Sequence, residues 1–282
     1  MNIAVDLLAV DVGTSRVKLG FFPAHVACET KPAASLLPIT AGQLPEPAET
    51  FACRHREVPL DELTAQLTGW LSQFDGSRTQ VALASVSPEM ASFVVKLCSQ
   101  LGFPEVREIV GSHLPLSVQV KKPGRVGIDR LLNAVAVNRI RSAGQPAIVM
   151  DLGTAVTVDL VGPQGEFLGG AILPGWALSA KALHGGTSSL PLLTSEDMPL
   201  PASGLGKCTT EAIAAGITWG LVGALENLVK KYADLTDARP QLFITGGDAP
   251  LILDALNESL RAVRHVSHLV LAGIAIACEE RP

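Results

Sequence analysis

Tyrosine occurs once in this chain, at Tyr232, aromatic residues make up 4% of the 282 positions, and charged residues only 17%. With a formal net charge of −5 there is no basic surface of the kind a nucleic-acid backbone requires, so no nucleic-acid partner is expected. Lys121, Lys122 and Arg125 form the sole basic cluster, suited to a small anion or to solubility. Cysteine is scarce: Cys28, Cys53, Cys98, Cys208 and Cys278 are scattered, odd in number and contain no Cys-x-x-Cys. That pattern excludes a disulfide framework and points to a reducing cytoplasm. The six histidines include no pair with three to five residues between them, the spacing of a zinc site. Residues 1–6 carry no basic region, and Asp6 and Asp11 interrupt the apolar stretch, so it does not read as a secretory signal. No uninterrupted apolar run has the length that crosses a bilayer, and no membrane partner is expected.

What the chain does have is core-forming material, 48% hydrophobic residues with a mean hydropathy of +0.34, enough for one or two domains. It also repeats itself. Asp11-Val12-Gly13-Thr14 follows the apolar run from Leu7 to Val10, and half a chain later Asp151-Leu152-Gly153-Thr154 follows Ala147 to Met150. In each copy a second apolar strand comes next, Val17 to Phe22 or Val156 to Val161. Glycine lets backbone N–H groups approach an anion closely, and the threonine hydroxyl adds a donor. The carboxylate would be repelled by phosphate, so its role is to hold the accompanying cation, directly or through water. The pair therefore reads as two hairpins that hold phosphate.

Between these hairpins the pattern predicts a proline-rich loop over 23–50, an edge strand at Phe51 to Val58, and a helix from Leu60 to Phe74. A buried strand at Gln80 to Val86 follows, then a helix opened by Ser87-Pro88 and stopped at Gly102, and a strand at Glu105 to Val110. An apolar helix starts after Gly127-Ile128-Asp129-Arg130 and ends near Gly144. The second half adds a strand at Glu166 to Leu173 and a long helix from Thr209 to Tyr232. One side of that helix is thinned by Gly216, Gly220 and Gly223. A strand at Gln241 to Thr245 and a final helix from Leu269 to Ala277 complete it. The expected division is 1–144 and 145–282, two halves of an α/β architecture.

Asp11-Val12-Gly13-Thr14, Gly127-Ile128-Asp129-Arg130, Asp151-Leu152-Gly153-Thr154-Ala155-Val156-Thr157-Val158-Asp159 and Gly169-Gly170-Ala171-Ile172-Leu173-Pro174-Gly175, in this order, resemble the type III pantothenate kinases. The resemblance implies an α/β fold of two duplicated ribonuclease H-like domains with an active-site cleft between them, within the superfamily of acetate and sugar kinases, heat-shock ATPases and actin. It implies a cytoplasmic homodimer that phosphorylates pantothenate to 4′-phosphopantothenate with ATP, Mg²⁺ and a monovalent cation, K⁺ or NH₄⁺, at the first step of coenzyme A synthesis.

By the same match, Asp129 would accept the proton of the pantothenate hydroxyl, with Gly127, Ile128 and Arg130 around the substrate; a helix-terminal charge pair is the plainer reading of Asp129 and Arg130. Thr209 matches a pantothenate contact or simply caps its helix. Asp11 would sit by Mg²⁺, with Val12, Gly13, Thr14, Ser15, Arg16, Val17 and Lys18 around the phosphates, although a lysine on a hairpin strand is equally a solvated side chain. Asp151 would hold the monovalent cation and Thr154 would donate to phosphate. Gly246-Gly247-Asp248 stands where the superfamily meets adenosine, or is a plain turn, and His184 falls in a loop without an assigned role. Two departures stand out: Thr14-Ser15 where the family commonly has Asn-Thr, and Val120 where it often has tyrosine. Those departures keep open a kinase or phosphohydrolase for another small substrate, and a catalytically silent regulator.

Overall fold

The computed structural model describes residues 5–24, 43–194, 204–260 and 262–279, so positions 25–42 of the expected proline-rich loop lie outside the described residues. The chain divides into two units, Met1–Ser142 with His268–Pro282, and Ala143–Ser267.

In the first unit the strands β1 (Asp6–Val12), β2 (Val17–Phe22), β3 (Glu49–Cys53), β4 (Thr79–Ser85) and β5 (Val106–Glu108) form one sheet in the order β3-β2-β1-β4-β5. β1, β2 and β3 are successive antiparallel neighbours, with Asp11 opposite Lys18 and Val17 opposite Cys53, while β4 and β5 run parallel to β1. Strand alternation sends Leu8, Val10 and Val12 to one face. There they bury against Leu63 and Leu67 of α1 (Leu60–Leu71) and Val94 and Leu97 of α2 (Pro88–Gln100). Full burial of each such side chain stabilises by about 1.5–3 kcal/mol. Leu7, Ala9 and Asp11 point to the opposite face, the side of α3 (Ile128–Ile140) and of the C-terminal helix described below. The edge strand is shorter than expected: Arg54 to Val58 make a turn rather than strand, closed by Glu57 N–H to the Arg54 carbonyl at 3.1 Å and by an Arg54–Glu57 ion pair at 2.9 Å.

The second unit repeats the plan. β6 (Ala147–Leu152), β7 (Ala155–Val161), β8 (Phe167–Pro174), β9 (Gln241–Thr245) and β10 (Val263–His265) order as β10-β9-β6-β7-β8, the same topology as the first sheet. Ile148, Met150, Val156 and Val158 bury with Val222, Leu225 and Val229 of α5 (Thr209–Ala233) and with Ile252 and Leu256 of α6 (Ala249–Leu260). The sequence pattern left α6, β10 and α4 (Trp176–Gly185) unread, and His184 belongs to the last turn of α4, not to a loop. Trp176 of α4 donates from Nε1 to Thr218 Oγ1 of α5 at 3.3 Å, inside a small cluster with Ala180, Leu193 and Ile213. Among the described residues α5 alone has the length and composition to cross a membrane; part of it, including Ile213, Val222 and Leu225, is core of this unit. On its thin side, Gly216, Gly220 and Gly223 have nothing among the described residues within 4 Å of where a Cβ would stand.

The last helix, α7 (Leu269–Glu279), groups with the first unit, whereas the expected second half runs on to 282. Leu269 to Ala277 are all buried, as befits a helix apolar on every side. Leu271 comes within 3.0 Å of a Cβ placed on Gly20 of β2, and Gly273 lies so close to the Leu132 backbone of α3 that no Cβ fits. An Arg139–Glu279 ion pair at 3.2 Å joins α3 to α7.

Candidate active site

β1 delivers Asp11 to the end of the sheet, 6% exposed, with Lys18 directly opposite it and Lys18 Nζ 3.8 Å from Asp11 Oδ2. Lys18 is thus drawn to the carboxylate rather than simply solvated. Beyond Val12 the chain reverses in four residues. The Gly13 N–H donates to the Arg16 carbonyl at 2.9 Å, the Val12 carbonyl accepts from Val86 N–H at 3.0 Å, and the Gly13 carbonyl faces His55 Nε2 at 3.2 Å. Val12 and Val17 are buried strand ends that pin the loop, Ser15 and Arg16 are half-buried, and Thr14 is exposed at its tip.

The second hairpin is braced in a parallel way. The Gly153 N–H donates to the Ala155 carbonyl at 3.2 Å, the Leu152 carbonyl accepts from Asp248 N–H at 3.1 Å, and the Thr154 carbonyl accepts from Gly175 N–H at 3.0 Å. Gly246 has φ +97° and sits against the Leu152 backbone without room for a Cβ; Gly175 is likewise pressed against Gly153. Gly246-Gly247-Asp248 is therefore a turn that also supports the loop. Thr154 is exposed, and Asp151, half-buried, lies across the ladder from Thr157. Paired residues share a sheet face, and the Thr157 Oγ1 there is buried with no hydrogen-bond partner among the described residues.

The third element is the start of α3. Gly127 is its N-cap residue and contributes no side chain; Asp129 folds back over the first turn, where its Oδ1 accepts the Arg130 N–H at 2.9 Å. A Cβ on Gly127 would stand 2.5 Å from that oxygen. The glycine thus creates the space that the carboxylate fills, at the end of a helix whose free N–H groups favour negative charge. Ile128, Asp129 and Arg130 are half-buried, whereas Leu131 to Val137 are buried and anchor the helix.

At the start of α5, Cys208 is the N-cap residue without a side-chain cap, and Glu211 reaches back to accept the Lys207 N–H at 2.7 Å. Thr209 is exposed and is not the cap. His184 Nδ1 meets the Leu190 carbonyl at 2.7 Å, a local contact that closes its own segment. No cluster of three or more His, Cys, Asp or Glu side chains among the described residues could hold a metal. His55 carries no sequence signal as a brace, whereas Gly175 falls within the family-like motif and Gly246 within the Gly-Gly-Asp segment.

Two sheets of the same strand order, each carrying an Asp-x-Gly-Thr hairpin between its first two antiparallel strands, define a duplicated α/β fold. Solved structures agree on the fold: a candidate Baf family transcriptional activator from Campylobacter jejuni superimposes with a TM-score of 0.54 at 19% identity, covering 97% of this chain and 98% of that one. The ethanolamine utilization protein EutJ from Carboxydothermus hydrogenoformans gives 0.54 at 14% identity, covering 96% and 89%. The family model for type III pantothenate kinase matches residues 7–231. The type III pantothenate kinase of Paramagnetospirillum magneticum is 38% identical over 212 residues, which cover 73% of this chain and 80% of that protein. That of Moorella thermoacetica is 31% identical over 254 residues, 89% and 91% of the two chains. The chain belongs to the type III pantothenate kinases, which phosphorylate pantothenate with ATP in coenzyme A biosynthesis.

Proposed function

We propose that Asp129 accepts the proton of the pantothenate hydroxyl as that oxygen takes the γ-phosphoryl group of ATP, giving 4′-phosphopantothenate. The observation that carries this reading is the Asp129 carboxylate, seated over the first turn of α3 in the space that Gly127 leaves. Phosphoryl transfer has a loose transition state, so the carboxylate mainly orients the alcohol and receives its proton late. Arg130, next on the same turn, offers a planar fork that suits the pantothenate carboxylate, with Gly127 and Ile128 beside it and the exposed Thr209 hydroxyl as a further contact.

Asp11, Val12, Gly13, Thr14, Ser15, Arg16, Val17 and Lys18 form the first phosphate cradle, and Thr154 donates from the second. The residues present fit Mg²⁺. Asp11 is a buried carboxylate that no cage of further acids surrounds among the described residues, which suits an ion that keeps waters and shares the nucleotide's phosphates. Bound there, Mg²⁺ would neutralise charge on the phosphate oxygens. Asp151 and the unpartnered Thr157 hydroxyl offer hard oxygen donors on one sheet face, the donor type that K⁺ or NH₄⁺ takes.

The exposed glycine stripe of α5, flanked by Trp219 at 37% exposure, supports a homodimer formed through that helix; light scattering should return twice the chain mass. A biosynthetic enzyme of this family, with a net charge of −5, fits a cytoplasmic location without nucleic-acid or membrane partners. The test is direct. Purified protein with ATP, Mg²⁺ and K⁺ should convert pantothenate in preference to other small alcohols, and Asp129→Asn should lower the rate by about 10²–10⁴-fold with the circular dichroism spectrum intact. Undiminished turnover by that variant would remove Asp129 from the mechanism.

A further inference from the structure

The geometry points to His55 as a positioning residue for the first phosphate loop, an inference that rests on the assignment of that loop to ATP. Three observations converge on it. First, antiparallel pairing of β2 with β3 ends at Val17 opposite Cys53, so two residues further on the chain stands level with the 13–16 loop. Second, His55 is held there. The Arg54–Glu57 ion pair and the Glu57 N–H to Arg54 carbonyl bond close the turn around it, and the half-buried ring places Nε2 3.2 Å from the Gly13 carbonyl. A carbonyl only accepts, so Nε2 carries the hydrogen and donates it.

The third observation comes from the duplication. Both loops have their leading carbonyl held from just past the parallel strand beside the first one: Val86 N–H, after β4, on Val12, and Asp248 N–H, in the turn after β9, on Leu152. Both also have a brace from the residues just past the third strand of the hairpin set. In the second unit it is a backbone bond, Gly175 N–H to the Thr154 carbonyl at 3.0 Å. In the first unit β3 stops at Cys53, and the imidazole of His55 braces the loop one motif position earlier, at the Gly13 carbonyl. The Gly13 peptide is then fixed from both ends, its N–H by Arg16 and its carbonyl by His55. The Gly13 carbonyl shares its peptide with the Thr14 N–H, so that donor is set before the nucleotide arrives. Donors arranged in advance bind phosphate without an ordering cost at the moment of binding.

His55 touches no substrate in this account; it acts through the loop, and the effect falls on ATP. Steady-state kinetics should be measured for His55→Ala, His55→Gln and Asp11→Asn, alongside direct titration with a non-hydrolysable ATP analogue and Mg²⁺. Loss of one neutral hydrogen bond predicts a rise of about 3–10-fold in KM for ATP in His55→Ala, matched in the analogue titration. KM for pantothenate and kcat should stay within about twofold. His55→Gln, whose amide nitrogen can stand where Nε2 stood, should restore ATP affinity. An unchanged KM for ATP in His55→Ala overturns the inference. So does an equal rise for both substrates, or a failure of glutamine to rescue a well-folded protein. Should Asp11→Asn also bind the analogue and turn over normally, the assignment of the loop to ATP falls; should Asp11→Asn be impaired and His55→Ala not, only the role of His55 falls.

Discussion

Gly127 and Asp129 occupy one volume: the place where a Cβ would stand on the glycine is 2.5 Å from Oδ1 of the aspartate. The proton acceptor proposed for the reaction is therefore aimed by the absence of a methyl group two residues before it, and an exchange that leaves every polar group intact should still harm catalysis.

In Gly127→Ala the added carbon pushes the Asp129 carboxylate off the first turn of α3. A displacement of about an ångström at a reacting group can cost up to about 10²-fold in rate, so kcat should fall by roughly 10–100-fold. The melting temperature should move little, because the helix beyond Leu131 is anchored by its buried side. Wild-type kcat in this variant would show that the carboxylate has room to spare.

Gly246→Ala is expected to act on stability. Gly246 has φ +97° and its missing Cβ would enter the Leu152 backbone at the end of β6. Strain of this kind costs on the order of 1–3 kcal/mol, a fall of roughly 3–10 °C in Tm for a chain of this size. Scanning calorimetry checks it, with Gly223→Ala as the comparison, since Gly223 has open space around its Cα.

The start of α7 should govern part of the acid response. Partial desolvation first, and repulsion by Lys18 second, lower the pKa of His268 from its ordinary 6.5. The folded chain thus holds this proton less readily than the unfolded chain. The corresponding stability is present above about pH 6.5 and is lost as the pH falls through and below that value. Asparagine tolerates the φ of 56° at this position and does not titrate. Melting curves at about pH 7.5 and pH 5.5 should therefore converge in His268→Asn relative to wild type; an identical acid loss in both proteins would assign it to other groups.

Thiol chemistry offers a probe of the core of the first unit. Burial pushes the Cys98 thiol up to about 11, and only the thiolate is alkylated efficiently. Iodoacetamide at about pH 8 should leave Cys98 unmodified in the native protein and label it fully in denaturant, as read by peptide mass spectrometry. Native labelling of Cys98 would mean that α2 opens readily from the sheet.

The sequence was legible where chemistry and periodicity coincide. Both Asp-x-Gly-Thr hairpins, β9 at Gln241–Thr245 and the long helix from Thr209 stand where pattern and composition put them. α4 is not legible because Trp176 to Gly185 follows Pro174-Gly175, a pair that reads as loop, and α6 because the glycines before it read as a turn. The allegiance of α7 could not be read at all: a segment buried on every side carries no stripe to say which neighbour it faces. Among the candidate residues, Asp11, Gly13, Asp129 and Asp151 are legible by motif. His55 did not, since a lone histidine after a strand has no signature, and only strand register brings it level with Gly13.

The return of α7 makes the second unit an insertion within the first. A ribosome must finish residues 143–267 before it reaches Leu269 to Ala277, whose burial depends on the first sheet and α3. Until then Leu7, Ala9 and the exposed side of α3 have no cover from that helix. The half made earliest is thus completed last, and cutting the gene between Ser142 and Ala143 would yield two fragments of which the N-terminal one carries an open apolar face.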